Sequence, residues 1–550
     1  MQPIESAGSL RPPEQVMKLA RMGSFHASRL SFMRILLRRL KAEKWTFERS
    51  TWQFNGTEGV AVYQAQGPVR TYSLIAFGHT LDDDLRSDRV IAEAWDATFT
   101  LFDGVPTDAD IKRLAANVPV QEAGRVTEKE LTLSRANKSV RLFDHVRDSL
   151  AQGQQPNAAM IDEIGYLMRT TAVYGSGKFG ACDREVIADR PEFQAPFQAE
   201  MLTVLMIRQF AKDWVEHAAR LQDPGHAVAL DDDLAKRLGI GNSTGLGMAP
   251  FLLNHPRLLN NWIAAREQAI AQVCSIESIS ESAWQQVRSL LSQQRDELKH
   301  WPASHPIIQA RLPELAADLE QCLSWMDQTS PSWQALLDFT NQRCGLEAQE
   351  LVASLILEPY PEIDHLAAQM SADEVNLPAI QGRMKCRVMA SHIESRYQWA
   401  IDKDWSEPAS QSHLWYVSAE KLEPRLADRQ NEPLENYEQP LAPGRDVAQA
   451  YADLQGYLER SLAEFLLAYP QHRGALARLQ WLMDAPYGEI YDNTTGDGLM
   501  PIDLLRCKLS FFGAARFDPR SDRWVRICMY RNGPYLNQVS SVSDQWVYGR

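Results

Sequence analysis

The sequence lacks three features that would each have set its class at once. No apolar run approaches the roughly 18–20 residues that a membrane-spanning helix needs. None of the seven cysteines forms a Cys-x-x-Cys pair, and their odd number and wide spacing indicate reduced thiols rather than a disulfide framework. The formal net charge is −14, which disfavours a nucleic-acid binder because an acidic surface repels phosphate backbones.

Metal-site and targeting signals are also missing. The twelve histidines include no His-Glu-x-x-His, and none pairs with cysteine at zinc spacing, so no metal site is predicted. The segment Met1–Gln15 is polar and carries three prolines, unlike a secretory signal. We therefore expect a soluble, cytoplasmic protein with no membrane span and no nucleic-acid partner.

The 550-residue chain is long enough for roughly three to four domains, and its patterning divides it into four regions. Region 1–150 combines helices with an antiparallel meander, and region 151–402 is predicted to be helical and to carry two glycine-rich loops. Region 403–445 is a linker or surface excursion rich in proline and glutamate, and region 446–550 holds C-terminal helices and β-hairpins. The expected fold class is α+β, mostly helical, with an N-terminal antiparallel sheet, a large all-helical middle and a β-rich C-terminal end.

Strand signals concentrate at the two ends of the chain. Aromatic and β-branched runs with short links, too short for crossover helices, predict an antiparallel meander over Trp45–Phe54, Gly59–Gln66, Val69–Gly78 and Asp88–Phe102. Strands are also predicted over Cys507–Arg516, Arg523–Arg531 and Tyr535–Tyr548. An Arg-Ser-Asp-Arg turn occurs at both ends, at Arg86–Arg89 and Arg520–Arg523. We hypothesise that the end strands join, or mirror, the N-terminal sheet.

Helical periodicity covers most of the remaining sequence. Residues 1–25 are predicted to form an N-terminal arm that contributes few residues to the core. Ser28–Lys44 is predicted as an amphipathic helix whose basic face is solvated. Leu131–Gly153, after a polar lead, and Asn157–Thr170 are predicted as the next helices. Phe193–Leu221 is predicted as a long buried helix.

The first candidate for a functional site is the stretch Tyr174–Arg184, which is rich in glycine. Residues 175–180 match the Gly-x-Gly-x-x-Gly of dinucleotide sites, but the segment before them has a helical pattern and no βαβ unit follows. A protein-kinase glycine-rich loop is excluded because the other kinase motifs are absent, and a Walker loop is excluded because its residue spacing is not matched. Two interpretations remain: an anion cradle of backbone N–H groups with Ser176, Lys178 and Arg184, or a glycine-mediated helix end.

A second glycine-rich stretch covers Gly239–Gly247. Gly241–Gly245 fits Gly-x-Ser-x-Gly, the spacing that holds a hydrolase nucleophile, here Ser243, on a strand-to-helix turn. The preceding segment looks helical, which favours a helix C-cap or a second ligand-binding loop instead. His255 follows closely, either as an acid–base group, because its unperturbed pKa is near neutrality, or as a loop histidine with structural hydrogen bonds.

We therefore expect an enzyme that binds a small anionic substrate or nucleotide-like cofactor at two glycine-rich loops, with the reaction type and the cofactor left open. The candidate catalytic residues are His255 and Ser243. The candidate binding residues are Gly175, Ser176, Gly177, Lys178, Gly180, Arg184, Asn242 and Thr244. The alternatives are a non-catalytic helical scaffold or homo-oligomer, with interfaces anchored by some of the fifteen tryptophans, and a serine hydrolase acting through Ser243.

Overall fold

The fold is α+β, with one large sheet that takes strands from both ends of the sequence. The structure is a computed structural model. It describes residues 10–18, 21–24, 26–81, 95–118, 127–171, 187, 189–245, 256–299, 306–371, 379–407, 415–418, 425–426, 438–441, 443–489, 501–513, 516–518 and 524–541.

Secondary-structure elements are numbered in chain order among these residues. The strands are β1 (Thr46–Asn55), β2 (Glu58–Gln66), β3 (Thr71–Gly78), β4 (Ala97–Asp103), β5 (Glu130–Lys138), β6 (Tyr166–Thr171), β7 (Gly239–Gly245), β8 (Trp415–Ser418), β9 (Arg425–Leu426), β10 (Glu438–Leu441), β11 (Arg516–Asp518) and β12 (Trp524–Met529). The α-helices are α1 (Pro13–Val16), α2 (Phe32–Ala42), α3 (Asp108–Ala115), α4 (Phe143–Ala151), α5 (Ala158–Ile164), α6 (Gln198–Gln222), α7 (Asp232–Lys236), α8 (Pro256–Cys274), α9 (Glu281–Leu298), α10 (Pro306–Met326), α11 (Trp333–Arg343), α12 (Leu346–Leu355), α13 (Cys386–Ile401), α14 (Pro443–Leu454), α15 (Leu462–Ala468), α16 (Arg473–Leu482) and α17 (Pro501–Phe512). Short 3₁₀ segments lie at Pro191–Phe193, Pro361–Met370, Gln455–Tyr457, Pro470–His472 and Leu536–Gln538.

Nine strands form one mixed sheet in the order β1-β2-β3-β4-β5-β6-β7-β12-β11. All neighbours are antiparallel except β6 and β7, which are parallel. The predicted meander is present as β1–β4, but the sheet as a whole is not antiparallel. The β11–β12 hairpin joins the same sheet, while both Arg-Ser-Asp-Arg turns lie outside the described residues.

Three central strands lie where a helix or a loop was predicted. β5 occupies the start of Leu131–Gly153, and β6 occupies the end of Asn157–Thr170, after α5 stops at Gly165 in the left-handed region with φ 77°. β7 occupies most of the second glycine-rich stretch. The middle of the chain is therefore not all helical. Central strands are buried on both faces, so polar alternation is not required of them, and β6 does not show it.

The C-terminal end carries less strand than predicted. β12 matches the Arg523–Arg531 prediction, but Cys507–Arg516 is mostly the C-terminal part of α17. The described side chains of this helix are buried around its circumference, among them Cys507 and Phe511, so its apolar residues show no helical period. Within Tyr535–Tyr548, Leu536–Gln538 form a 3₁₀ turn, and residues 542–548 lie outside the described part of the chain.

The segment before α2 belongs to the core and is not an arm. Val16, Met17 and Met22 are fully buried. Arg11 lies between two acidic side chains of the helical middle: its Nε is 2.7 Å from Glu267 Oε2 and its Nη1 is 3.0 Å from Glu350 Oε1. These contacts hold the start of the chain against α8 and α12.

The basic face of α2 is only partly solvated, because Arg34 is buried and Arg38 is half-buried, whereas Lys41 is exposed as predicted. Arg34 is 0 % exposed and donates hydrogen bonds of 2.7 Å to both carboxylate oxygens of Glu358. Arg38 pairs with Asp364 at 3.0 Å. Both acidic residues follow α12 in the chain, so α2 is tied to the helical middle by ion pairs of long sequence separation.

A small cavity lies close to this ion-pair network. Its lining residues are Ser24, His26, Gln294, Leu298, Leu315, Glu347 and Leu351, and it has room for about one water molecule. Burial lowers the pKa of His26 to about 3, a shift that Glu358 opposes and Arg34 reinforces. The imidazole is therefore neutral in the folded protein at neutral pH.

We expect Arg34→Ala to destabilise the fold by about 3–5 kcal/mol, because it leaves the buried Glu358 carboxylate without its partner. Lys41→Ala is the matched control: Lys41 lies on the same helix but is exposed, and its removal should change stability by no more than about 0.5 kcal/mol. Urea unfolding monitored by tryptophan fluorescence measures both. Equal effects of the two substitutions would contradict the buried ion pair.

We expect His26 to make stability fall as the pH drops from 6.5 towards 3. The unfolded state takes up the imidazole proton near pH 6.5, whereas the folded state does so only near pH 3. Between these two pH values, this one proton lowers the free energy of unfolding by up to about 1.4 kcal/mol for each pH unit. The stability difference between wild type and His26→Asn, measured by urea unfolding from pH 7 to 4.5, should change with this slope; parallel curves would refute it.

Candidate anion-binding site

β6 and β7 lie side by side and run in the same direction within the nine-stranded sheet. Thr170 is opposite Asn242, and the chain crosses from one strand to the other through α6. It therefore leaves both strands at one edge of the sheet, where Thr171 and Gly245 are the last strand residues. We term this the β6–β7 edge. In open α/β sheets, ligands bind outside the carboxyl ends of the parallel strands.

A buried arginine of α6 holds the start of β7 in position. Arg208 is 1 % exposed. It donates hydrogen bonds of 2.7–3.1 Å to four backbone carbonyl oxygens, those of Leu238, Lys236, Gly533 and Pro534. Its guanidinium lies 4.0 Å from the ring centre of Tyr535. Burial lowers the pKa of Arg208, and the hydrogen bonds join the crossover helix, β7 and the C-terminal segment.

Two glycines of β7 are explained by packing. A Cβ atom on Gly239 would lie 2.3 Å from Met529 O, and one on Gly241 would lie 2.7 Å from the ring of Tyr166. Glycine in these positions lets β12 and Tyr166 approach the strand closely. These two glycines therefore do not require a ligand, contrary to the reason given for them from the sequence.

Two arginines share one face of the sheet beside the β6–β7 edge. Arg135 of β5 is opposite Thr171, and Arg169 of β6 is opposite Asn137. Opposed residues in antiparallel strands, and residues two apart in one strand, point to the same face. Arg169 is 5 % exposed, and the Arg135 guanidinium lies 5.5 Å from the ring centre of Trp95.

Ionisable groups of both signs lie near this face of the sheet. Burial lowers the pKa of Arg135, which is the direction expected where a cation is held away from water. Asp96 contributes a carboxylate nearby, and its Oδ2 accepts a 2.9 Å hydrogen bond from the Lys138 amide. His79 lies 3.1 Å from Thr98 Oγ1, and burial lowers its pKa, so it adds no positive charge at pH 7.

The chain that follows the first glycine-rich stretch is fixed at the same edge of the sheet. Arg190 Nη2 donates to Asp103 Oδ2 at 2.7 Å and its Nη1 donates to Tyr72 Oη at 3.2 Å. Tyr72 Oη in turn donates to Glu192 at 2.5 Å. Asp103 ends β4 and Tyr72 lies near the start of β3, at the edge where β6 ends. The described residues before and after the first glycine-rich stretch, Thr171 and Arg190, thus both lie towards this edge.

Three of the ten predicted site residues lie within β7. Asn242 is 5 % exposed. Its neighbour Gly241 pairs with Arg169, so the Asn242 side chain points to the face of the sheet opposite that of Arg169. Ser243 and Thr244 lie inside the same strand, opposite residues of β12, so Ser243 is not on the strand-to-helix turn that a nucleophile elbow requires. The other seven lie outside the described residues: Gly175, Ser176, Gly177, Lys178, Gly180, Arg184 and His255.

Sequence reasoning missed Arg135 and Arg169 because both lie in segments predicted as helices. The available signal was the alternation of Leu131, Thr132, Leu133 and Ser134 ahead of Arg135, which is typical of a strand. A strand assignment there would have brought both arginines into the sheet.

No family model, curated protein or solved structure matches this chain. Within the described ranges, no helix is long and apolar enough to cross a membrane. The same residues contain no group of three or more His, Cys, Asp or Glu side chains arranged to hold a metal ion.

We expect Arg208→Lys to destabilise the fold by at least about 2 kcal/mol, because one ammonium group cannot reach four separate carbonyl oxygens and some would be left buried without a donor. Arg220→Lys is the matched control on the same helix, where the side chain is exposed; its effect should stay within about 0.5 kcal/mol. Thermal unfolding of both variants tests this. If Arg208→Lys left the unfolding temperature unchanged, the hydrogen bonds to the carbonyl oxygens would not be what holds β7 in position.

Proposed function

We propose that this chain is an enzyme that binds a small anionic substrate or nucleotide-like cofactor at the β6–β7 edge. One observation carries the proposal: β6 and β7 are adjacent and parallel. Tyr174 comes three residues after the end of β6, and His255 comes ten residues after the end of β7. Residues 172–184 and 246–255 therefore continue the chain from neighbouring strand ends at one sheet edge, the position at which ligands bind in open α/β sheets, whereas most of the predicted Gly239–Gly247 stretch is β7 itself.

The charges near this edge support an anionic ligand. Arg135 and Arg169 share a sheet face there, and the guanidinium group suits carboxylates and phosphates because it can donate two parallel hydrogen bonds. The sequence adds Lys178 and Arg184 within the glycine-rich stretch, whose backbone N–H groups would complete an anion cradle. His255 is proposed as the proton-transfer group, and the reaction type is left open.

The competing functions have less support from the described residues. Eleven tryptophan side chains are described, and each is buried or half-buried, so none offers the exposed anchor that a scaffold or homo-oligomer would use. A serine hydrolase needs Ser243 on a sharp turn, whereas that residue lies within β7. The proposed cytoplasmic location is supported by the free cysteines, as in a reducing compartment.

We expect at least one small anion among phosphate, citrate, nucleotides and flavin mononucleotide to raise the unfolding temperature. A ligand that binds only the folded state stabilises it by about 2.7 kcal/mol at a concentration one hundred times its Kd. A thermal-shift titration of the full chain measures the effect. The absence of a concentration-dependent shift with every anion would contradict the proposal.

Substitution then tests where the anion binds. Lys178→Ala and Arg169→Gln should each weaken the shift at least tenfold in midpoint concentration, because each removes a cation from the proposed site. Lys299→Ala is the control, since this lysine follows α9 and its side chain is 64 % exposed. If both site variants kept the full thermal shift, the anion would bind at another surface and the proposed site would be wrong.

A further inference from the structure

Two cysteines of the helical middle lie against each other. Cys322 is on α10, Cys344 follows the last residue of α11, and their Sγ atoms are 3.8 Å apart. Cys322 is 0 % exposed, whereas Cys344 is 9 % exposed and so borders solvent. A disulfide needs an S–S distance of about 2.05 Å, so side-chain rotation has to close a gap of about 1.7 Å.

The backbone around Cys344 is held on both sides. Its amide donates to Thr340 O at 2.9 Å, and its carbonyl accepts from Gln349 Nε2 at 2.7 Å. The next amide, that of Gly345, donates to Asp318 Oδ2 at 2.8 Å. Asp318 is on α10, one turn before Cys322, so these contacts keep the turn between α11 and α12 against the helix that carries the second thiol.

The two thiols differ in exposure and are coupled by a hydrogen bond. Either thiol can donate the hydrogen bond between the two Sγ atoms. When one thiol ionises, the S–H of the other stabilises the thiolate, which lowers the pKa of Cys344, the more exposed of the two, and raises the pKa of Cys322 for loss of the second proton. Burial instead raises the pKa of Cys274 and of Cys507 to about 12. The thiolate is the reactive form, and peroxide reaches Cys344 first because Cys344 is the more exposed of the two.

We propose that Cys322 and Cys344 form a peroxide-reactive dithiol site, with Cys344 as the attacking sulfur and Cys322 as the resolving sulfur. The Cys344 thiolate attacks one oxygen of hydrogen peroxide, the O–O bond breaks, and hydroxide leaves and takes up a proton to become water. The Cys322 sulfur then attacks the sulfenic sulfur of Cys344 and loses its proton as a second water is released. Two thiols and one hydrogen peroxide thus become one disulfide and two waters, and α10 becomes linked to the α11–α12 turn.

The test is peroxide treatment of the folded full-length chain, followed by acid quench, alkylation and tryptic mapping without reduction. Trypsin cuts between Arg343 and Cys344, so the two sulfurs lie in separate peptides, 312–343 and 344–383. We expect these peptides to be recovered as one linked species with the mass of two hydrogens lost. Recovery of both peptides fully alkylated, when other cysteines have reacted, would overturn the proposal.

Three variants assign the roles. Cys322→Ser should leave a sulfenic acid on Cys344 that dimedone traps, whereas the wild type yields little adduct there. Cys344→Ser should abolish the linked species and leave Cys322 reduced. Cys274→Ser, which removes another incompletely buried thiol, should form the 322–344 link at the wild-type rate. A dimedone adduct on Cys322 in Cys344→Ser, with none on Cys344 in Cys322→Ser, would reverse the assigned roles and contradict the mechanism.

Discussion

The parallel pairing of β6 with β7 is the constraint on which the centre of this molecule depends. Parallel neighbours cannot be joined by a hairpin and need a long crossover, which the 25-residue helix α6 supplies. That helix lies against the sheet and carries Arg208, whose hydrogen bonds reach the start of β7 and the C-terminal segment. The β11–β12 hairpin then pairs with the free side of β7, so a chain that begins as a meander is completed by its own C-terminal end.

A second set of interactions fixes the N-terminal segment and α2 to the helical middle. Arg11, Arg34 and Arg38 each pair with a carboxylate more than 250 residues away in the chain. Buried ion pairs are weak evidence for net stability, because the cost of desolvation offsets much of the attraction. They do penalise any arrangement that leaves one partner buried alone. We therefore interpret these pairs as selecting how the start of the chain docks on α8 and α12.

The sequence predicted the elements whose pattern is local and missed those defined by distant contacts. The strands β1–β3 were predicted within two residues of their bounds, because turn residues mark them, and β4 and the helix α6 lie in the predicted segments but begin later than predicted. The strand β5 was missed although its first residues alternate, because the segment was assigned to a helix. The strand β6 was missed because burial on both faces removes polar alternation, and β7 because its glycines indicated a loop. No local pattern could pair Arg34 with Glu358 across 324 residues. For the candidate site, the sequence predicted the stretch 174–184, which follows β6, and the stretch 239–247, most of which is β7; it predicted neither the adjacent parallel strands nor the two arginines.

The central claim is that residues 174–184 and 246–255 serve one site because they continue from neighbouring parallel strands. Photo-crosslinking measures this most directly: benzoyl-phenylalanine replaces Lys178 in the full chain, ultraviolet light is applied, and the linked peptides are identified by mass spectrometry. The account predicts crosslinks from position 178 to residues 246–255. Crosslinks found only elsewhere, with the folded state shown intact by circular dichroism, would contradict it.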